Sequence, residues 1–201
     1  MSKFYDEKYG AKGSYWGKHP SSMARILFQK FLPQDGDKLL EIGSGEGRDA
    51  IFFARNGYQV TGFDASAEGL RKAKAWAADE GLAIDFLQAD INSYRPQEPV
   101  DVVFSSGALH YIPLDLREEV ISSYKRSTNP GGIHSHMVPV QKPHIPTDPE
   151  ADELEQDWRS GEILTYYHDW DIEFFVEEIL DDIKSDYKFV VNRLIARKPS
   201  A

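Results

Sequence analysis

The sequence predicts an α/β domain: a mainly parallel sheet with helices on both faces. Three observations carry this. Strand-like and helix-like segments alternate from Lys38 to Val140, a glycine-rich turn follows the first strand, and the 201 residues hold no second hydrophobic core.

Residues 1–19 are rich in Tyr, Lys and Gly without clean periodicity, and read as an arm with one short helix. Residues 20–201 read as a single domain. Pro20–Leu32 has helical spacing of Met23, Ile26, Leu27 and Phe31, with Pro20 suited to a first turn. Lys38–Ile42 is a short apolar strand, Arg48–Asn56 a helix ended by Gly57, and Tyr58–Phe63 a second strand. Ser66 is placed to cap a helix over Ala67–Glu80, which Gly81 closes. Leu82–Gln88 alternates as a third strand, and Val100–Ser105 is apolar enough for the middle of a sheet. Leu116–Ser127 is a helix stopped by Asn129-Pro130-Gly131-Gly132, and Ile133–Val140 a fifth strand. Residues 139–149, with their prolines, form an irregular loop, followed by an acidic helix around Glu150–Gly161. Asp171–Leu180 and Phe189–Lys198 are strands joined by the polar turn Asp181–Asp186, hence antiparallel.

The net charge of −10 speaks against nucleic acid as a partner, because phosphate contacts need a basic face. Arg71, Lys72 and Lys74 read as a solvated helix face. The chain lacks an apolar run long enough to span a bilayer, an N-terminal apolar core of a secretion signal, and cysteine. The expectation is a cytoplasmic protein, monomer or homodimer, without membrane attachment.

The segment Glu41-Ile42-Gly43-Ser44-Gly45-Glu46-Gly47-Arg48-Asp49 joins a strand to a helix through a turn in which the main chain can approach a ligand. A dinucleotide fingerprint needs G-x-G-x-x-G, but Arg48 stands where the third glycine would allow close packing. The pattern therefore disfavours NAD and FAD, and no Gly-Lys-Ser/Thr marks a P-loop. Asp64 ends the second strand twenty-one residues after Gly43, a position from which a carboxylate accepts bonds from both ribose hydroxyls of an adenosine. Asp90 ends the third strand, placed toward an adenine amino group. The alternative for each acid is helix capping or turn formation.

Glu41-Ile-Gly-Ser-Gly-Glu-Gly, with Asp64 and Asp90, resembles motif I and the following acids of class I S-adenosylmethionine (SAM)-dependent methyltransferases. That resemblance covers about residues 20–198. It implies a Rossmann-like, seven-stranded, mostly parallel sheet whose last strand is antiparallel. It also implies SAM as cofactor, with S-adenosylhomocysteine as product. Among the cofactor-binding candidates, Glu41 lies in motif I. Gly43, Ser44 and Gly45 would face the methionine part, Asp64 and Ala65 the ribose, Asp90 and Ile91 the adenine, and Ser105 the methionine end. Trp16, with Tyr15, is a candidate to cap the cofactor, ordinary aromatic packing being the alternative. Gly45-Glu-Gly-Arg48-Asp49, Glu162–Trp170 and Leu194-Ile-Ala-Arg-Lys198 further resemble the tellurite-resistance (TehB-like) branch. Its members methylate small, soft nucleophiles. The His-Arg pair of that branch near the last hairpin is replaced by Asp181-Asp182-Ile183-Lys184, which argues against tellurite or selenite as substrate.

Methyl transfer asks the protein mainly to align two reactants and exclude water, so no universal catalytic residue is expected. His110 is the catalytic candidate, a general base after the fourth strand, against the alternative of a packed histidine. An Asn/Asp-Pro-Pro-aromatic motif, which grips nucleic-acid bases in DNA and RNA methyltransferases, is absent from Ser105–Tyr111. His134 and His136 share one face of the fifth strand but have no clear third ligand, so no metal is expected. The expected function is methyl transfer from SAM to a small-molecule acceptor. The alternative is a SAM-binding or regulatory protein of the same fold without methyl transfer.

Overall fold

The computed structural model describes residues 3–146, 152–181 and 188–200. A seven-stranded sheet runs in the order β3-β2-β1-β4-β5-β7-β6. The strands are β1 (Lys38–Ile42), β2 (Gln59–Asp64), β3 (Asp85–Gln88), β4 (Val100–Ser106), β5 (Thr128–Val140), β6 (Asp171–Asp181) and β7 (Lys188–Arg197). The first five pair in parallel, while β7 lies antiparallel between β5 and β6. Sequence order reverses outward from β1 and β4. Ligands in open α/β sheets bind at such a switch point, beyond the C-terminal strand ends.

Each face of the sheet is covered. On one, α2 (Ser22–Lys30), α3 (Arg48–Arg55) and α4 (Ala67–Asp79) bury Met23, Leu27, Phe53, Leu70 and Ala73 against Leu39, Val60, Val102 and Phe104. On the other, α5 (Arg117–Arg126) and the 158–170 segment, which holds α6 (Glu162–Thr165), pack Ile121, Tyr124, Trp158 and Tyr167 on Leu40, Ile42 and Val103. Ser21 and Ser66 cap α2 and α4, their hydroxyls accepting from the amides of Ala24 and Gly69. The short helix of the arm, α1 (Lys3–Gly10), rests on α4.

Two expectations need correction. Strand β5 begins at Thr128, not Ile133: Thr128 pairs with Val100, a bulge follows, and regular pairing resumes at Ile133 opposite Val102. The Pro-Gly-Gly run is thus absorbed by an irregular strand start. The acidic helix over 150–161 does not form in its described part, residues 152–161. There the backbone is recruited elsewhere. The Gln156 amide donates to the His110 carbonyl at 2.7 Å, and the buried Arg117 guanidinium donates to the carbonyls of Gln156 and Asp157. The same guanidinium lies 4.1 Å over the Trp158 ring and pairs with Glu162 at 2.6 Å. All but Asp181 of the polar turn 181–186 lies outside the described residues.

Candidate active site

A cavity of about 1510 Å³ opens along the C-terminal strand ends. Its first half is built on the glycine loop. The amides of Gly43 and Ser44 donate to the Phe63 carbonyl at 2.9 and 3.0 Å, which bends the chain away from β1. Gly43 has φ +72°, and a Cβ there would stand 2.4 Å from the Ala108 methyl. Gly45 has φ +51°, and a Cβ would meet the Tyr9 hydroxyl at 2.6 Å. Both positions therefore need glycine for conformation and for space.

Asp64 sits beside this loop. Its Oδ2 accepts from the Gly45 amide and its Oδ1 from the Ser66 amide, each at 2.8 Å. Burial pushes its carboxyl above the usual range, against the lowering effect of those amides. Burial, with Asp49 nearby, pushes Glu41 up further, and its Oε2 has no hydrogen-bond partner among the described residues. The buried Ser44 hydroxyl is also unpartnered.

The sequence candidates Glu41, Gly43, Ser44, Gly45, Asp64, Ala65, Ile91, Trp16 and His110 all line the cavity. Trp16 is 39% exposed and sits edge-on to Tyr15. Two candidates do not line it. Ser105 is wholly buried, paired in register with Ile42 and His136, and its neighbours Ser106 and Gly107 reach the cavity instead. Asp90 folds back, its Oδ1 accepting from the Asn92 amide at 2.8 Å, while Ala89 and Ile91 line the wall. The turn-forming role open to Asp90 is the one its Oδ1 plays.

Among the lining residues, Tyr5, Tyr9 and Glu46 were not singled out in the sequence, whereas Tyr15 was paired there with Trp16. The arm brings Tyr5, Tyr9 and Tyr15 over the glycine loop as a chain of ring contacts, with centroids 5.2 Å apart for Tyr5 and Tyr9 and 6.2 Å for Tyr9 and Tyr15. Glu46, buried, clasps the arm: its Oε2 accepts from the Tyr15 amide at 2.6 Å and the Ser14 hydroxyl at 3.0 Å, and its Oε1 pairs with Lys72. Lys72 also donates to the carbonyls of Ala11 and Gly13, so it is a tie and not merely a solvated charge. The i, i+4 spacing of Tyr5 and Tyr9 was a sequence signal for a shared helix face, but not for what that face covers.

The second half of the cavity is lined by Ser106–Ala108, His110, Tyr111, Met137, Pro139, Val140, Ile145, Trp158, Phe189 and Arg193. His110 lies in a 3-10 turn, Leu109–Tyr111, and is 6% exposed. Neither ring nitrogen has a hydrogen-bond partner among the described residues. Burial, helped by Arg117, lowers its pKa to about 4, so the imidazole is neutral at physiological pH.

His134 and His136 are occupied differently. Thr128 Oγ1 donates to the Tyr124 carbonyl, so it accepts from His134 Nε2 at 2.8 Å. His134 Nδ1 then accepts from the Tyr167 hydroxyl at 2.7 Å, whose oxygen accepts from His136 Nε2 at 2.8 Å. This ordering satisfies each bond once. The pair therefore belongs to a polar chain inside the core.

These features match known proteins. Residues 39–132 match the family described as "Methyltransferase domain". Residues 39–132 thus carry a methyltransferase domain, and the fold is that of class I SAM-dependent methyltransferases. Within that class it resembles TehB. A probable SAM-dependent methyltransferase TehB of Haemophilus influenzae is 24% identical over 74% of this chain and 51% of its own length. A 2-heptyl-1-hydroxyquinolin-4(1H)-one methyltransferase of Mycobacteroides abscessus is 29% identical over 58% of this chain and 56% of its own. The chain thus spans about half the length of these curated relatives. The crystal structure of TehB from Haemophilus influenzae superposes with a TM-score of 0.79 at 22% identity, covering 96% of this chain and 65% of that one. Among the described residues, no helix is long and apolar enough to cross a membrane.

The residues present fit the class cofactor. Gly43 and Gly45 line the cavity with bare backbone, and unpartnered polar atoms of Glu41 and Ser44 lie buried in the same wall. Phe63, Ala65, Ala89 and Ile91 line an apolar wall suited to an adenine face.

Proposed function

We propose that the protein transfers a methyl group from SAM to a small-molecule acceptor, with His110 as general base when the acceptor is protic. The observation that carries this is the continuity of one cavity from the glycine loop to His110 and Trp158. When bound, the cofactor supplies an electrophilic methyl group on a sulfonium. Glu41 and Ser44 would hold its methionine end, Asp64 the ribose, and Ala89 and Ile91 the adenine. The arm excludes water from above, and the apolar wall of Met137, Val140, Ile145, Trp158 and Phe189 favours an acceptor that is partly apolar. A hydroxyquinolone, the acceptor class named for the Mycobacteroides relative, has that character and a protic oxygen.

The test begins with thermal shift. SAM and S-adenosylhomocysteine at a hundredfold excess over Kd should stabilise the protein by about 2.7 kcal/mol. NAD and NADP should not, and stabilisation by NAD alone would overturn the reading. A screen of hydroxyquinolones, phenols, thiols, halides and chalcogen oxyanions then seeks the acceptor. With a protic acceptor, His110→Ala should lower turnover about 10²-fold while SAM affinity stays unchanged. Unaltered turnover would remove His110 from the chemistry.

A further inference from the structure

We propose that the cavity wall at Arg193 and Ser22 is a carboxylate-binding site, taking the carboxylate of the cofactor's methionine or one borne by the acceptor; this rests on the reading of the cavity as the place where both bind. Arg193 lies on β7 between Met137 of β5 and Val176 of β6. It lines the cavity together with Ser22, the first residue of α2. Its side chain is only 8% exposed. On the same face of the strand, Val191 and Ile195 are wholly buried and apolar. A guanidinium in that row has been taken out of water, which costs free energy unless its donors are used.

Those donors are used sparingly. Nη2 donates to the Ser22 hydroxyl at 2.8 Å. Nη1 stands 2.7 Å from Glu178 Oε1, but that oxygen is not aligned for a hydrogen bond. Nε is buried with no hydrogen-bond partner among the described residues. Glu178 is 35% exposed, so water screens its pull on the guanidinium. Arg48 ends the same ledge of the cavity wall. It pairs with Asp49 at 2.9 Å, Asp49 accepts from the Ser21 amide at 2.6 Å, and the Arg48 Nε is likewise buried and unpartnered. Lys142, also in the lining, is instead engaged by Glu177 and Ser160. Stability does not explain Arg193, because packed apolar groups in place of a buried ion pair are often neutral or stabilising. A carboxylate matches what is left over: its oxygens accept parallel bonds from the guanidinium fork, and such charge-assisted bonds are the strong ones.

The experiment is calorimetric titration of the full chain with two pairs of ligands. One pair is SAM and decarboxylated SAM. The other is 4-hydroxybenzoate and phenol, added to protein saturated with S-adenosylhomocysteine. Arg193→Met, which keeps bulk without charge, should weaken the carboxylate-bearing member of one pair about tenfold or more and leave its counterpart unchanged. A loss in the first pair assigns the carboxylate to the cofactor, and a loss in the second assigns it to the acceptor. Glu178→Gln removes the competing charge and should tighten the same member about two- to fivefold. A pair that only ties α2 to β7 would leave all four ligands unmoved, so this variant decides the matter if Arg193→Met fails to fold. Equal changes within both pairs, or none, overturn the inference. If neither SAM nor its analogue binds the wild type, the cofactor reading fails instead, and the 4-hydroxybenzoate pair, titrated into the unliganded protein, still reports on Arg193.

Discussion

Lowering the pH from 7.5 to 5 should destabilise the protein by about 3 kcal/mol or more in urea unfolding. His110, His134 and His136 are buried and neutral, with pKa values lowered to about 4 for His110, about 3 for His136, and well below the ordinary value for His134. Burial is the main cause in each. In the unfolded chain the same rings titrate near 6.5. Below that pH the unfolded state binds more protons, so stability falls as pH falls, over the window between 6.5 and the folded values. Each ring contributes a loss of roughly 2 kcal/mol by pH 5. Glu41 and Asp64 act with opposite sign, because their carboxyls are raised in the folded state and take up protons there first. They offset part of the loss. A urea midpoint unchanged between pH 7.5 and 5 would contradict this account.

Tyr167→Phe should cost roughly 2–5 kcal/mol although it removes a single oxygen. That oxygen donates to His134 Nδ1 and accepts from His136 Nε2, so its loss strands two polar atoms in the core at once. Each such atom costs about 1–3 kcal/mol. Replacement of both polar partners is gentler than removal of one, so a further His136→Leu change should cost less in the Tyr167→Phe background than alone. Guanidinium unfolding of the four proteins gives the coupling. A loss below about 1 kcal/mol for Tyr167→Phe would mean that the core relaxes around the gap.

Most of the fold was legible because its signals are local. The apolar runs at Lys38–Ile42 and Val100–Ser105, Ser66 ahead of α4, and the glycine turn act within a few residues. The seven-stranded, mostly parallel sheet and the antiparallel β7 followed from the class resemblance and from the closeness of the last two strands. What failed was non-local. The acidic composition around Glu153–Asp157 suits a helix, yet Arg117 and the His110 carbonyl capture that backbone from forty or so residues away. Trp16 was read from its aromatic character alone. Tyr5, Tyr9 and Glu46 gave no such hint, because what they touch is fixed only when the arm folds across the glycine loop. Ser105 and Asp90 stand near the predicted places, but Ser105 is buried off the cavity wall and a turn amide engages Asp90.

The clasp at Glu46 bears on timing. Glu46 follows Gly45 directly, and its carboxylate holds the Tyr15 amide, the Ser14 hydroxyl and Lys72 together. A ligand seated between the glycine loop and the arm would have to wait for those ties to part before leaving, in addition to breaking its own contacts. Under the proposed function, exchange of spent for fresh cofactor would pass through an opening of the arm, and such openings limit turnover in many enzymes whose chemistry is fast. On that reading, the timing would rest with Glu46 and Lys72, which tie the arm rather than line the reacting end of the cavity.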